Sequence, residues 1–323
     1  MRLQFKHTDE RLTRRTGLVL IDRFGKKHNL LEQLNHAFPE PGSNRGINAG
    51  TYITTLAEMM IDGATHLEDV RACEADTAYK MMTEREQYPS SDAMGKWLER
   101  HGKTDGEKRL WSVTAKMVQT MTRENDLTAD IDTTLIEADK GDAEMSYKGI
   151  RGYQPLLGAC PELGIFLGSR FQQGNVSPQA DLVSFLHTCC EHLPGRIRAV
   201  RIDSAGYNHE VINDCLLHHR YFTITADHDE AVMAAVRTIP ASAWRQGCYK
   251  DGEKAPSMIA ETVHTMNATK ESFHLVVKRT ERTSQQDLFD EEYRYWIIAT
   301  NFPIEKKSTQ AIIHHHEQRG QTV

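Results

Sequence analysis

The sequence predicts an α/β protein: a mixed sheet with flanking helices, preceded by a helical N-terminal region and carrying a β-rich insertion before the last helix. Three observations predict it. Up to about residue 125 the apolar residues recur at helical spacing, and at about residue 127 the period drops to two. Beyond that, three strand-like runs come together and are followed by alternating helical and strand-like runs. Neighbouring strands followed by helix–strand alternation call for a sheet with antiparallel and parallel pairs and helices on its faces.

In the N-terminal region, Leu20, Ile21, Phe24, Leu30, Leu31 and Leu34 set one helix from Thr16 to Phe38, with Gly25 a weak point. The turn cluster PEPGSNRG (39–46) ends it. A second helix from Asn48 carries Tyr52, Ile53, Leu56, Met59 and Met60 on one side. PSSDAMGKWLERHG (89–102) opens with Pro89 and a serine cap and places Ala93, Met94, Trp97 and Leu98 on one face, leaving Lys96, Glu99 and Arg100 outside. That stretch reads either as the recognition helix of a helix-turn-helix or as a plain packed helix.

In LTADIDTTLIE, Leu127, Ala129, Ile131, Thr133 and Leu135 share one face of a strand; Thr128, Asp130, Asp132 and Thr134 share the other. GYQPLLGACPELGIFLGSRF (152–171) has two apolar runs around a turn at Pro161–Gly164, a hairpin signal. A helix follows with Ser177 as N-cap and Pro178 at its first position; Leu182, Phe185, Leu186, Cys189 and Leu193 form its stripe. Then come a strand (197–203), a helix (208–219), a strand (221–227) and a helix (229–239). After residue 240, SMIAETVHTMN, SFHLVVKRTER and EYRYWIIATNF are strand-like, and a final helix begins at Ser308. The expected division is 1–125 helical, 126–240 the first part of an α/β core, 241–302 the β-rich insertion, and 303–323 the start of the final core helix, cut short at Val323.

Bulk properties narrow the function. With 323 residues the chain suggests two or three domains, and 39% hydrophobic with 26% charged residues is ordinary for a soluble globular protein. No apolar run approaches the roughly 18–20 residues that cross a bilayer, and the N-terminus has no signal-peptide core. The six cysteines have no CxxC pair, which argues against a zinc site or disulfide framework and for a reducing cytoplasm. Neither a phosphate-binding GxxxxGK[ST] loop, nor GxGxxG, nor HExxH is present, and Ser204 does not sit in a GxSxG elbow. The net charge is −6, yet residues 1–30 hold eight Lys/Arg against three acids. Such a patch is either a phosphate-binding surface or a solvated helix face.

The stretch VRIDSAGY (200–207) poses the functional question, because a strand that reads as core ends on the carboxylate of Asp203. A buried acid must be paired or must hold a metal. Asp132, with Asp130 on the same face, lies on a strand that would neighbour this one in the mixed sheet. Two acids brought close ask for a divalent cation, and oxygen-only ligation favours Mg²⁺ or Mn²⁺. Carboxylate-held metals support in-line phosphoryl transfer. The bland alternative is a turn-forming Asp that bonds its own backbone before Ser-Ala-Gly.

GSNRG (42–46), HLEDVRACEAD (66–76), YPSSDAMGKWL (88–98), DIDTTLIEADK (130–140), YKGIRGYQPLLG (147–158), GNVSP (174–178), RIDSAGY (201–207) and TNFP (300–303) run in order along nearly the whole chain. In these stretches the sequence resembles DDE (Asp-Asp-Glu) transposases of bacterial insertion sequences, within them the family numbered thirteen-eighty. The resemblance implies a ribonuclease H-like core with one Asp on the first strand, one just after the fourth, and a β-insertion before the last helix. Asp132 matches the first catalytic Asp and Asp203 the second, with Asp130 the alternate metal ligand to Asp132. Relatives place the third acid on the final helix in a pattern like Tyr-x-x-Arg-x-x-x-Glu; here His316 and Arg319 stand at the Tyr and Arg positions, and Val323 stands where Glu is expected. Glu317 has the wrong spacing to substitute. The resemblance leaves two readings open, a third acid just beyond Val323 or a copy that lacks it. It implies a truncated chain with Asp132, Asp203 and Arg319 as its catalytic residues, 1–125 as a DNA-binding region and 126–240 as the first part of the catalytic core.

The implied function is metal-dependent cleavage and strand transfer at insertion-sequence ends. The alternative is a non-catalytic remnant that binds the terminal DNA. The implied setting is a bacterial cytoplasm near the nucleoid, with Mg²⁺ (or Mn²⁺) as cofactor. The implied partners are terminal and target DNA and a second copy of the chain, with no membrane. Candidate DNA contacts are Arg14, Arg15, Lys26 and Lys27 in the basic N-terminus and Lys96 and Arg100 on the 89–102 helix. Lys148 and Arg151, with Tyr147, form a basic-aromatic loop, and Lys278, Arg279 and Trp296 lie in the insertion. Trp296 is either a base-stacking platform or a core tryptophan. His314, His315 and His316, consecutive on a helix, point in different directions and cannot chelate one ion together.

Overall fold

The computed structural model describes residues 9–281 and 292–319. The chain forms two compact units that divide between Thr122 and Arg123.

The first unit is helical: α1 (Leu18–Lys27), α2 (Leu30–Ala37), α3 (Ala49–Ile61), α4 (Val70–Glu74), α5 (Thr77–Thr83), α6 (Ser91–Gly102) and α7 (Gly106–Met121). The single helix expected from Thr16 to Phe38 is two, because Asn29 adopts a left-handed conformation (φ 52°) that no α-helix continues through. The weak point lies four residues past Gly25. Helix α6 starts where its cap is written, with Ser90 Oγ accepting from the Ala93 amide at 3.2 Å. Its Met94 and Trp97 are buried, and Trp97 stacks on Tyr52 of α3 with ring centroids 5.2 Å apart. Leu98, expected on the same face, is largely exposed.

The second unit begins with β1 (Leu127–Thr133), the short strands β2 (Ile136–Glu137), β3 (Glu144–Met145) and β4 (Arg151–Tyr153), and the hairpin β5 (Leu156–Cys160) and β6 (Ile165–Arg170). It continues with α8 (Leu182–His192), β7 (Ile197–Ile202), α9 (His209–Leu217), β8 (Tyr221–Thr225) and α10 (Glu230–Arg237). Last come β9 (Arg245–Cys248), β10 (Lys254–His264), β11 (Phe273–Glu281), β12 (Tyr293–Thr300) and α11 (Thr309–Glu317). The 161–164 hairpin turn closes on Gly164 at φ 62°, in the left-handed region that favours glycine. Helix α8 starts later than its sequence suggests: Leu182 is its first residue, while Ser177 turns the chain by accepting the Gln179 amide.

Among the described residues, nine strands form one sheet in the order β6-β5-β1-β7-β8-β12-β11-β10-β9. Strand β1 is antiparallel to β5 and parallel to β7, and β7 is parallel to β8. This is the ribonuclease H-like mixed sheet. The β-rich insertion is continuous with it, because β12 pairs antiparallel with β8 through Ile298–Thr300 against Thr223–Thr225. Strands β2, β4 and β3 make a separate small sheet.

The two faces of the large sheet differ in chemistry. Gly158 on β5 lets the sheet approach α8 so closely that a Cβ there would collide with Cys189 Sγ. Phe185, Leu186 and Cys189 supply the apolar side of that contact. On α11, Ile312 and Ile313 pack with Ile259, Val276 and Ile298 from the insertion strands. Here the sheet also carries a polar row, Asp130–Arg201–Thr223, in register across β1, β7 and β8. The alternation in LTADIDT therefore does not separate a dry face from a wet one: Leu127 to Ile131 are buried at every position, as a central strand covered on both sides requires.

Candidate active site

Parallel pairing of β1 with β7 brings Ile131 opposite Ile202, so the next residues, Asp132 and Asp203, come to the same end of two adjacent strands. Asp132 Oδ1 accepts the Thr133 amide at 2.9 Å. Asp203 Oδ1 accepts the Ala205 amide at 2.9 Å and caps a short 3₁₀ turn, Ser204–Gly206. Its other oxygen faces Arg319, whose Nη1 lies 3.5 Å away just beyond the end of α11. The turn-forming reading of Asp203 is met by one oxygen, and the other is left facing a guanidinium.

Burial pushes the Asp132 carboxyl above its ordinary value; Arg319 opposes the shift, while the charges of Asp203 and Asp130 add to it. A carboxylate held partly out of water beside a second one is a site that an added cation relieves. Asp227, which the sequence reading passed over, adds to the same field: it lies two residues past β8, and burial together with Asp229 and Asp203 raises its carboxyl. The signal was present, since YFTITAD ends on a carboxylate just as AVRID does.

Asp130 does not share this role. It is fully enclosed, and Arg201 makes a forked contact with its two oxygens at 3.1 and 2.8 Å. Arg201 also donates to the carbonyl of His315 on α11. The residue expected as the alternate metal ligand is thus half of a buried ion pair, its charge already met by a guanidinium. The sequence reading missed Arg201, which only the register of β1 against β7 could have supplied.

The three histidines of α11 diverge as helical geometry requires. His314 contacts Gln310 and the Cys248 carbonyl, His315 faces Thr223, and His316 Nε2 meets Thr225 Oγ1 at 2.8 Å. Burial pushes His315 down to about 4 and His316 to about 3, so both are neutral near pH 7. Glu317 pairs with Lys278 at 2.8 Å. Position 323 lies outside the described residues.

The profile of a family described as "Transposase DDE domain group 1" matches residues 1–322. The chain belongs to this transposase family. Among solved structures, the cryo-EM structure of a piggyBac transposase synaptic complex with hairpin DNA aligns at 10% identity and a TM-score of 0.46, over 94% of this chain and 66% of that one. The transposase chain thus spans just under two thirds of that neighbour's length. No curated protein matches it.

For this DDE-family chain the metal question turns on its donor set. Asp132 and Asp203 offer only carboxylate oxygen, and the cation against Asp203 is the partly exposed Arg319. These residues fit a hard divalent ion.

The candidate DNA contacts divide by what they touch. Arg15 is buried, with Asp62, Asp76 and the Ala72 carbonyl as partners, and holds its helices together; it is no surface cation. Lys26 bonds Asp22, Glu84 and the Thr83 carbonyl, and Arg14 bonds Asp62 from an exposed position. Lys27 and Arg100 are exposed, and Lys96 pairs with Asp92 along α6. Lys148 is exposed over Tyr147, whereas Arg151 braces its own loop through the Ala143 and Lys140 carbonyls. The Arg279 guanidinium is stacked by Trp244 and Tyr293 at 3.9 and 4.4 Å, which covers the group expected to meet a phosphate. Trp296 packs with the α11 cluster beside His316, in the manner of a core tryptophan.

Proposed function

We propose that the chain is a DNA transposase of the insertion-sequence family numbered thirteen-eighty, acting by hydrolytic cleavage and strand transfer at the ends of its element. The observation that carries this reading is the convergence of Asp132, Asp203 and Arg319 at one end of two parallel strands. Asp132 and Asp203 would hold Mg²⁺ or Mn²⁺. A divalent ion bound there supplies Lewis acidity to the scissile phosphate and to the attacking oxygen. The protein's own part is to orient the carboxylates: the Thr133 and Ala205 amides each fix one oxygen, Oδ1 of Asp132 and Oδ1 of Asp203. Arg319, which faces Asp203, would turn to a phosphate oxygen when a DNA backbone enters.

Exposed cations of the helical unit, Lys27, Lys96, Arg100 and Arg14, would hold the DNA backbone, with Lys148 contributing from the core. Two element ends need two active sites, which favours a homodimer. Val323 at the expected glutamate position favours the second reading, a chain that binds terminal DNA and cuts it poorly.

The deciding experiment is Mg²⁺- or Mn²⁺-dependent cleavage of a labelled element end by this chain and by Val323→Glu, with Asp203→Ala in each background. Cleavage that depends on Asp203 establishes the phosphoryl-transfer site, and stronger cleavage by Val323→Glu assigns the third acid to that position. DNA binding without cleavage by either establishes the remnant. Neither binding nor cleavage overturns both readings.

A further inference from the structure

A second group of ligand-type side chains lies away from the carboxylate pair. His187 on α8, Asp214 on α9 and His218 at the end of α9 each offer a ligand atom, and these atoms lie within 4.8 Å of one another. Asp214 Oδ1 is the common point: His187 Nε2 is 2.7 Å from it and His218 Nδ1 3.2 Å. Arg220 bonds the other oxygen, Oδ2, at 3.2 Å and so fixes the carboxylate's orientation. Asp214 is buried, whereas the two imidazoles are 43% and 39% exposed, so an ion can reach the group from solvent.

We infer that His187, Asp214 and His218 form a binding site for Zn²⁺ or a similar first-row transition ion, which clamps α8 to α9. Two imidazoles and one carboxylate are a zinc-type donor set, and Mg²⁺ prefers oxygen alone. Four ligands at about 2.0–2.1 Å in tetrahedral array stand about 3.3 Å apart, close to the spacing around Oδ1, so coordination needs only a small spread of the group. Coordination requires a bare nitrogen on each imidazole, with the proton on the other ring nitrogen; at His218 this gives up the contact of Nδ1 with the Asp214 carbonyl at 3.0 Å. Solvent fills the fourth position. Cys190, three residues on from His187, is not one of the group whose ligand atoms converge.

The site is separate from the proposed catalytic one. Helix α9 starts after the Asp203 turn and runs nine residues, about 13 Å, before reaching His218. Its three ligands carry no CxxC spacing, which is why cysteine counting does not find it.

The test is zinc binding by the metal-free 323-residue chain against a chromophoric chelator, in an Asp132→Asn/Asp203→Asn background that removes the catalytic carboxylates. One tight equivalent is expected. His187→Gln and His218→Gln, both at half-exposed positions and therefore compatible with folding, should each weaken it about 10–100-fold. Zn²⁺ should raise the unfolding temperature of the parent but not of the double histidine variant, and a tenfold excess of Mg²⁺ (roughly, on the scale of hard against borderline ions) should not compete. Zinc binding of unchanged stoichiometry and affinity in the histidine variants, or none in the parent, overturns the proposal. The readout is independent of DNA cleavage, so its failure leaves the transposase reading untouched.

Discussion

A strand that ends on a carboxylate needs a physical reason, and the two oxygens of Asp203 carry two: Oδ1 shapes the turn through Ala205, and Oδ2 faces Arg319. Asp203→Asn keeps the turn-forming oxygen and removes the charge, so folding should survive while metal-dependent cleavage falls by about 10²–10³-fold, the scale for losing one preorganised electrostatic group. Circular dichroism beside a cleavage assay checks both halves. Asp132 makes a different case, because its carboxyl ionises above the ordinary value of 3.8. Ionisation is then costlier in the folded chain than in the unfolded one. That cost is absent below the ordinary value and grows as pH rises through the window between it and the folded pKa. Asp132→Asn should therefore raise the unfolding temperature near pH 7 (about neutral, above both values) and lose the advantage in acid. A gain that persists at low pH would put the cause elsewhere. Mg²⁺ should stabilise the parent more than this variant.

At the scale of elements, the buried Asp130–Arg201 pair ties β1 to β7, and the same guanidinium ties both to the last turn of α11 through His315. Removing one partner leaves an uncompensated charge, which costs about 3–5 kcal/mol. Asp130→Asn should lower the urea unfolding free energy by that order and weaken cleavage only as far as α11 shifts. If it abolished Mg²⁺ binding with no loss of stability, Asp130 would be a metal ligand after all. Helix α11 is also fixed at its start, where Ser308 Oγ accepts the Ala311 amide. Ser308→Ala should cost about 1 kcal/mol in the same measurement.

At the scale of the whole molecule, each unit keeps its own core, and among the described residues no helix is long and apolar enough to cross a membrane. The charge that would meet DNA is spread thinly over an acidic chain. Lys27→Glu together with Arg100→Glu should therefore weaken DNA binding and flatten its salt dependence, by about 0.9 in log–log slope for each phosphate no longer neutralised. Fluorescence anisotropy across a salt series measures it; an unchanged slope would place the DNA elsewhere. Arg15→Ala should instead unfold the helical unit, since its guanidinium is enclosed by Asp62 and Asp76.

Local periodicity determined a great deal without tertiary help. The change of period near residue 127, the 161–164 hairpin, the stripe of α8 and the capped start of α11 are all consequences of which side chains lie two or three to four residues apart, and the backbone obeys that spacing directly. Adjacency of Asp132 and Asp203 followed from strand order in a mixed sheet. The tertiary structure alone decided what each charge faces. Asp130 and Asp132 are indistinguishable in a period-two pattern, yet one lies opposite Arg201, 71 residues away, and the other at the open strand end near Arg319. Arg15 and Arg14 are neighbours in a basic run, and one is buried while the other is exposed. The insertion strands carry no mark of the partner that β12 finds in β8. A side chain's charge is written in the sequence, but its partner is set by register and packing across long separations, and those are properties of the folded chain.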